Sequence, residues 1–281
     1  MTYIDKDVSL GDARAFIEEA TLISLPSNAT PMHVLVCVHG IRDDGAWGSA
    51  IKIAVQSGFV PTDITVVSAR YDRVSSAGFI VGYKHKKNCD DLLSQLSQIR
   101  QDFPESFISI ICHSSGTKVI VDIAHRITFP IEWIFLCGSV CRASDADKLR
   151  LRRRGLVNDA GTEDWWPIIA ESLRPSRFSA TGVGGFNRHP VIDRWFRYRH
   201  GDGLTQKHVD EWVIPTIING RVRLVIPIDI GYKKHMPVLL RRGGFVGWVA
   251  CLLLAMFLHL VFAFGLLLLI VIFFVAVVIF L

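Results

Sequence analysis

The chain has 281 residues, of which 50% are hydrophobic and 20% are charged, and its formal net charge is +5. Soluble globular proteins carry about 25% charged residues, so the chain is unusually apolar, and its composition excludes a disordered chain, a collagen-like fibre and a small disulfide scaffold. The basic residues form no long stripe interleaved with aromatics, so nucleic acid is not an expected partner.

The hydrophobic excess lies in one segment at the C-terminus. Every Asp, Glu, Lys and Arg precedes Gly243, and residues 243–281 carry none. We therefore predict a soluble domain over residues 1–242 and a membrane anchor over residues 243–281. The N-terminus has early acidic residues and no apolar stretch, so it does not predict a signal peptide.

Short apolar runs alternate with longer helical patterns through the soluble part. The runs predict buried strands at Met32–Val38, Ile64–Ala69, Phe107–Cys112 and Trp133–Cys137. The helical patterns cover Trp47–Gln56, Lys86–Asp102 and Ser115–Arg126. This alternation predicts an α/β domain whose parallel sheet has helices on both faces. Loops are predicted at Gly82–Lys87 and Gly182–Gly185.

The most informative segment is Phe107–Ile120, FISIICHSSGTKVI, in which an apolar strand runs into a serine-rich turn and then a helix. A sharp strand-to-helix turn can present a serine hydroxyl above a sheet, and small residues two positions before and after it prevent clashes. Ser114 fits this pattern with Cys112 before it and Gly116 after it, although Cys112 replaces the usual glycine. Ser115 is out of register because bulkier residues occupy those two positions. Ser114 is therefore the candidate nucleophile.

Two segments would supply backbone donors for an oxyanion. The helix that follows Ser114 directs N–H groups outward from its N-terminus, and the N–H group of Ser115 would be the first donor. The first apolar strand leads into the sequence HGIR. Gly40 lets the backbone turn there, and the N–H group of Ile41 or Arg42 would be the second donor.

A candidate acid comes later in the chain. A short predicted strand at Leu156–Asn158 leads into the loop DAGTEDWWP. A carboxylate after this strand would orient a catalytic histidine. Asp164 is the leading candidate, and Asp159 and Glu163 remain alternatives.

A candidate base follows the last predicted strand. The alternation over Arg194–Arg199 indicates an edge strand, and His200 comes directly after it. A histidine in this loop would take the serine proton and return it to the leaving group. His200 is the leading candidate, with His189 and His208 as alternatives.

The chain order of Ser114, Asp164 and His200 resembles that of the α/β-hydrolase superfamily. The stretch VLVCVHGIRDDGAWG looks like its oxyanion strand and loop, SIICHSSGTKVI like its His-Ser-x-Gly-Thr elbow, and DAGTEDWWP like its acid loop. The resemblance covers residues 32 to 217. It implies an α/β-hydrolase fold with a mostly parallel eight-stranded sheet, whose early antiparallel strands would include Ala20–Leu25. It also implies hydrolysis of carboxylic or lipid esters through an acyl-enzyme, without a cofactor or metal.

The six cysteines are expected to be reduced core thiols rather than a metal site or a disulfide framework. Cys37, Cys112 and Cys137 fall within predicted strands, where cysteine is a good small core residue. Cys137 and Cys141 are close in sequence, but no second pair or histidine cluster completes a zinc site.

The apolar tail is too long for one upright membrane span. A bilayer core of about 30 Å needs about 20 apolar residues, and residues 245–281 exceed that length. We predict a helical hairpin with passes at 245–264 and 266–281 and a break near Gly265, with a single tilted helix as the alternative. The basic flank of Lys233, Lys234, Arg241 and Arg242 predicts a cytoplasmic soluble domain.

Two functions fit these patterns. The first is a membrane-anchored serine hydrolase of esterase or lipase type, with the lipid bilayer and an ester substrate as partners. The second is an inactive α/β-hydrolase-like module that binds a ligand or partner at the membrane, which the cysteine at position 112 allows. The sequence does not identify the ester or any protein partner.

Overall fold

A computed structural model describes residues 33–40, 46–56, 64–72, 74–150, 153–225 and 238–280. Within these residues the strands are β1 (His33–Val38), β2 (Ile64–Ser68), β3 (Phe107–His113), β4 (Ile131–Cys137), β5 (Arg153–Gly161) and β6 (Val191–Phe196). All neighbouring strands pair in parallel, in the order β2-β1-β3-β4-β5-β6. The carboxyl ends of the strands therefore meet at one edge of the sheet.

The helices are α1 (Ala46–Gln56), α2 (Ser76–Val81), α3 (His85–Asp102), α4 (Ser115–Ile123), α5 (Trp166–Leu173), α6 (Thr181–Gly184), α7 (Gln206–His208), α8 (Ile214–Asn219) and α9 (Val238–Phe280). Short 3-10 turns cover Ala124–Arg126, Ala143–Arg150 and Asp202–Leu204, and a π turn covers Val209–Val213. The helices that follow β1, β3 and β5 begin at the edge where those strands end, so their N-termini face the same rim.

Both faces of the sheet are covered, because successive residues of each strand point to opposite sides. Val34, Val36 and Val38 of β1 belong to a core cluster that includes residues of α3 and α4. Leu35 and Cys37 belong to a second cluster that includes residues of α1 and α8. Burial on both faces explains why β1, β3 and β4 are continuous apolar runs rather than alternating patterns. The predicted parallel sheet with helices on both faces is confirmed.

The structure describes six of the eight expected strands, and the predicted early strand Ala20–Leu25 lies outside the described residues, so the eight-strand count stays a prediction. Two element boundaries differ from the sequence predictions. The edge strand begins at Val191 and ends at Phe196, instead of covering Arg194–Arg199. Its pattern was misleading because its central polar residues are paired inside the fold rather than facing solvent. Gly182–Gly185 is mostly the short helix α6 rather than a loop.

The region predicted as a loop at Gly82–Lys87 is a three-residue turn followed directly by α3. Gly82 has φ +88° and its N–H group donates to Gly78 O and Phe79 O, which ends α2. The helix α3 then begins at His85. A left-handed glycine is a common helix terminator, and it lets a second helix start within a few residues.

The C-terminal tail is one continuous helix, in contrast to the expected hairpin. Helix α9 continues through Gly265, and its stretch Cys251–Phe273 is long and apolar enough to cross a membrane, with none of it buried. A glycine within a helix costs about 1 kcal/mol relative to alanine. A chain reversal in hydrocarbon would leave several backbone groups unpaired at a greater cost, and no polar residue marks a turn.

Candidate active site

The turn between β3 and α4 holds Ser114 in a strained conformation. Ser114 has φ +52° and ψ −121°, which non-glycine residues rarely adopt. Its N–H group donates to Cys137 O of β4 at 3.0 Å, and its carbonyl accepts hydrogen bonds from Thr117 N and Thr117 Oγ1 at 3.0 and 2.6 Å. These bonds hold the turn in place at the rim of the sheet. Strain stabilised by its surroundings in this way is typical of functional positions.

Two glycines allow the close packing around this turn. A Cβ atom on Gly116 would lie 2.6 Å from His39 O and 2.8 Å from Val38 O, so only glycine lets α4 start against the end of β1. A Cβ atom on Gly40 would lie 2.9 Å from Ser114 Cβ. The end of β1 therefore packs directly against the candidate nucleophile, where the sequence predicted an oxyanion segment.

Ser115 and Gly40 are the two predicted oxyanion positions that the structure describes. Ser115 is the first residue of α4, and the first N–H groups of a helix have no acceptor within it. Gly40 lies next to Ser114. Ile41 and Arg42, whose N–H groups were predicted as second donors, lie outside the described residues.

Cys112 occupies the position where this type of turn usually has glycine, and the structure accommodates it. Cys112 is fully buried in the core cluster that β1, β3 and α4 share. In the sheet it lies opposite Val38 of β1 and Leu136 of β4. Burial raises the pKa of its thiol well above the ordinary value, so Cys112 is a packing residue rather than a nucleophile.

His200 and Asp164 form a hydrogen-bonded pair at the same rim. Nδ1 of His200 lies 2.7 Å from Oδ2 of Asp164. The Asp164 side chain is 1% exposed, whereas the His200 side chain is 22% exposed. The other oxygen of Asp164 accepts a hydrogen bond from Trp166 N at 3.0 Å, which fixes the carboxylate at the start of α5. A buried acid thus orients an accessible imidazole.

His113, which the sequence analysis did not single out, links the serine turn to the histidine loop. Its Nε2 donates to His200 O at 2.8 Å, and the two imidazole rings are 4.6 Å apart. Since His113 directly precedes Ser114, this contact brings the candidate base next to the candidate nucleophile. Among the described residues Ser114 Oγ and His200 make no direct hydrogen bond, and such bonds often form only when substrate is bound.

Gly138, at the end of β4, is a second residue that the sequence analysis missed. It has φ +57°, and a Cβ atom there would lie 3.0 Å from His200 Nδ1 and 3.2 Å from Asp164 Oδ2. The His200–Asp164 pair therefore occupies space that a side chain at position 138 would take. The sequence signal that could have identified Gly138 is a glycine directly after the predicted buried strand Trp133–Cys137.

Replacing Gly138 with alanine is expected to lower ester turnover by roughly 10- to 100-fold, because the added methyl group displaces His200. Gly201→Ala is the matched control, since nothing lies within 4 Å of a Cβ atom at that neighbouring position. Steady-state kinetics of both folded variants measures the difference. Equal activity of the two variants would contradict the role of Gly138.

The alternative pair, Asp159 and His208, is buried and lies elsewhere. His208 Nε2 is 2.9 Å from Asp159 Oδ2, and neither side chain is exposed. Arg194 donates to both oxygens of Asp159 at 2.6 and 2.8 Å, and its own side chain is 0% exposed. A substrate cannot reach this histidine. The pair joins β5, β6 and α7 inside the fold.

The same buried cluster is not a suitable metal site. Cys137, Asp159 and His208 have ligand atoms within 4.8 Å of one another. Both carboxylate oxygens are already bonded, however, and the Arg194 guanidinium would repel a cation. Burial also raises the pKa of the Cys137 thiol well above the ordinary value, which opposes the thiolate that a metal requires.

Removing the buried cation is expected to destabilise the protein strongly. Arg194→Leu leaves a buried carboxylate without its main partner, which costs about 3–5 kcal/mol of unfolding free energy. Arg197→Leu is the control, because Arg197 is exposed and its ion pair with Glu163 is long, at 3.4 Å. Denaturant unfolding of the full chain measures both. A midpoint unchanged by Arg194→Leu would contradict the role of this ion pair.

The same cluster predicts a loss of stability in acid. Burial alone raises the pKa of Asp159, but Arg194 and His208 outweigh it and lower the pKa to about 2. A lowered carboxyl pKa contributes stability above the unfolded value, near 4, that disappears as pH falls through about 2. The expected loss is about 2 kcal/mol, measured by denaturant unfolding between pH 5 and pH 2. Arg194→Leu should show a weaker pH dependence over this range; an equal dependence would refute the assignment.

The remaining alternatives do not join the rim. Glu163 is exposed and pairs with Arg197. His189 is exposed and precedes a cis proline on the approach to β6. The structure therefore brings together Asp164 and His200, beside the turn that carries Ser114.

Two exposed tryptophans stand at the edge of this site. Trp165 and Trp166 are 49% and 54% exposed, although large aromatics are usually buried. The ring of Trp166 lies 6.2 Å from the ring of His200. The helix α5, which begins at Trp166, contacts α9.

Comparisons with known proteins find similarity to solved structures at low sequence identity, and no similarity at the level of sequence families. No protein family and no curated protein matches the sequence. An esterase domain from Rhodothermus marinus is similar in structure (TM-score 0.42, 13% identity, covering 70% of this chain and 89% of that one). So is a carboxyl esterase from Bacillus coagulans (TM-score 0.48, 11% identity, 68% and 91%). An uncharacterized Bacillus cereus protein gives a TM-score of 0.49 at 11% identity, covering 74% of this chain and 66% of that one.

The fold itself follows from this chain's own geometry. A parallel sheet is covered on both faces, and a strained serine turn connects the buried strand β3 to α4. These are the features that the resemblance to α/β hydrolases predicted, and the α/β-hydrolase fold is confirmed for the described residues.

Proposed function

We propose that this α/β-hydrolase-fold protein is a membrane-anchored serine hydrolase that cleaves carboxylic or lipid esters. The observation that carries the proposal is the His200–Asp164 pair, joined through His113 to the strained turn of Ser114. A partly exposed imidazole oriented by a buried acid, beside a serine at a helix N-terminus, is the arrangement that acyl transfer needs.

The proposed reaction proceeds in two steps. Ser114 Oγ attacks the carbonyl carbon of the ester while its proton passes to Nε2 of His200, and the C=O electron pair moves onto the oxygen. The resulting oxyanion accepts a hydrogen bond from the N–H group of Ser115. The C–O bond to the alcohol then breaks, and the alcohol leaves with the proton from His200. Water attacks the acyl-enzyme in the same way and releases the carboxylic acid and free Ser114.

Each neighbour of His200 has a definite task in this scheme. Asp164 accepts a hydrogen bond from the Nδ1–H group of His200, which leaves Nε2 free as the base, and its negative charge stabilises the imidazolium that forms. His113 holds the backbone of the histidine loop through His200 O. Gly138 leaves the space in which the pair lies.

The alternative function is ligand binding without turnover, and an activity assay separates the two. The purified full chain in detergent should hydrolyse p-nitrophenyl esters far faster than buffer does. A folded protein that turned over none of a series from acetate to palmitate would favour the binding module.

We also propose that α9 anchors the protein with its soluble domain in the cytoplasm. The support is the unburied apolar stretch Cys251–Phe273 and the basic residues before it, including Arg241 and Arg242. The full chain should stay in the membrane fraction after carbonate extraction. Deleting residues 243–281 should move the protein to the soluble fraction. Protease added outside intact cells should leave the soluble domain uncut; cleavage there would refute the orientation.

A further inference from the structure

The rim of the candidate active site carries an exposed aromatic pair that the catalytic scheme does not use. Trp165 and Trp166 are adjacent in sequence, and each leaves about half of its side chain in solvent. The next two residues, Pro167 and Ile168, are buried, so the rest of the turn is packed normally. The fold therefore presents two large indole rings at one place, instead of burying them.

These tryptophans are fixed to the catalytic acid. Asp164 directly precedes them and accepts a hydrogen bond from Trp166 N, while its other oxygen bonds His200. The Trp166 ring is 6.2 Å from the His200 ring. A surface that contacts the Trp166 ring is therefore also close to the imidazole of His200.

The same helix contacts the membrane helix. Helix α5, which starts at Trp166, lies against α9, and the apolar stretch of α9 begins at Cys251. The part of α9 before that stretch starts at Val238 and is about 20 Å long at 1.5 Å per residue. Because none of Cys251–Phe273 is buried, α5 contacts this preceding part, which lies within about 20 Å of the start of the apolar stretch.

Indole rings favour the surface of a bilayer. Tryptophan has an apolar ring system and one N–H donor, and it is enriched where hydrocarbon meets lipid headgroups. An exposed indole pair joined to a membrane-spanning helix therefore fits a lipid surface better than it fits water.

From this juxtaposition we infer that Trp165 and Trp166 enter the interface of the bilayer and that the substrate is an ester held in that bilayer. Such a substrate has its carbonyl at headgroup depth and its acyl chain in the hydrocarbon, so the carbonyl meets Ser114 without the chain crossing water. This inference rests on the proposed hydrolase function and adds the class of its substrate.

The test compares two esters on the full chain reconstituted in phosphatidylcholine vesicles. One ester is water-soluble p-nitrophenyl acetate, and the other is a long-chain p-nitrophenyl palmitate dissolved in the vesicle. The double variant Trp165→Ser, Trp166→Ser should lower the palmitate-to-acetate rate ratio at least tenfold. Ile218→Ser removes an exposed apolar side chain from α8 and should leave the ratio unchanged.

A second measurement requires no catalysis. Vesicles made with brominated lipids should quench part of the tryptophan fluorescence of the wild type, and the quenched part should be smaller in the double variant, in which Trp248 next to the apolar stretch still contributes. If the wild type hydrolyses neither ester, the hydrolase proposal fails. If it hydrolyses acetate but the ratio and the quenching are the same in wild type and double variant, the hydrolase proposal stands and the interfacial role is refuted.

Discussion

Replacing Ser114 with alanine is expected to lower kcat for ester hydrolysis by about 10⁶-fold, to the rate that binding and the oxyanion donors sustain alone. Alanine removes the attacking oxygen but keeps the Cβ atom that packs beside Gly40. The fold should therefore persist. Steady-state kinetics with p-nitrophenyl esters, alongside circular dichroism, measures both properties.

The matched control for this substitution is Ser97→Ala. Ser97 lies on α3, and its hydroxyl donates a hydrogen bond to Leu93 O within the same helix. Its removal should leave turnover within a few-fold of the wild type. If Ser114→Ala and Ser97→Ala retained similar activity, Ser114 would not be the nucleophile.

Replacing Asp164 with asparagine is expected to lower kcat by about 10⁴-fold. The amide has nearly the shape of the carboxylate and can still accept the hydrogen bond from Trp166 N. It cannot, however, stabilise the charged imidazole of His200, and its NH₂ group would favour the wrong tautomer. Kinetics of the folded variant measures the loss.

Glu163→Gln is the control for the acid, because Glu163 is the neighbouring carboxylate and is exposed. It should reduce kcat by no more than a few-fold. A large loss in Glu163→Gln together with a small loss in Asp164→Asn would transfer the orienting role to Glu163.

The sequence predicted most reliably those parts of the fold that hydrophobic burial determines. The strands β1, β3 and β4 are buried on both faces, so they are almost continuously apolar and their positions could be predicted to within two residues. The edge strand β6 was placed three residues late, because Asp193 and Arg194 within it look like surface residues. Asp193 in fact accepts a hydrogen bond from Asn158, and Arg194 pairs with Asp159.

In the candidate site, too, the residues with local sequence signals could be predicted, whereas those that act through long-range contacts could not. Ser114 could be identified because a strand, small neighbours and a helix are all local signals. Choosing between two Asp–His pairs needed the fold, since only the packing of β5 against β6 shows that His208 is sealed inside. Gly138 and His113 act through contacts with His200, far away in sequence, and no local pattern indicates such contacts.

The expected membrane hairpin was wrong for an energetic reason. The sequence predicts a break near Gly265, since the apolar run is too long for one upright span and glycine is a weak helix former. In an apolar helix the backbone hydrogen bonds are worth more than the small glycine penalty, so α9 continues through it. The length of α9, about 65 Å, exceeds a bilayer core, so in the proposed anchor part of the helix would lie outside the hydrocarbon or the helix would tilt.

The most direct test of the hydrolase proposal is labelling with a fluorophosphonate probe, which reacts covalently only with an activated serine. The full chain in detergent should take up one probe, and peptide mass spectrometry should locate it on Ser114. His200→Ala should prevent the labelling, because it removes the base that activates the hydroxyl. A folded wild-type protein that stayed unlabelled, or that carried the probe on another residue, would contradict the proposal.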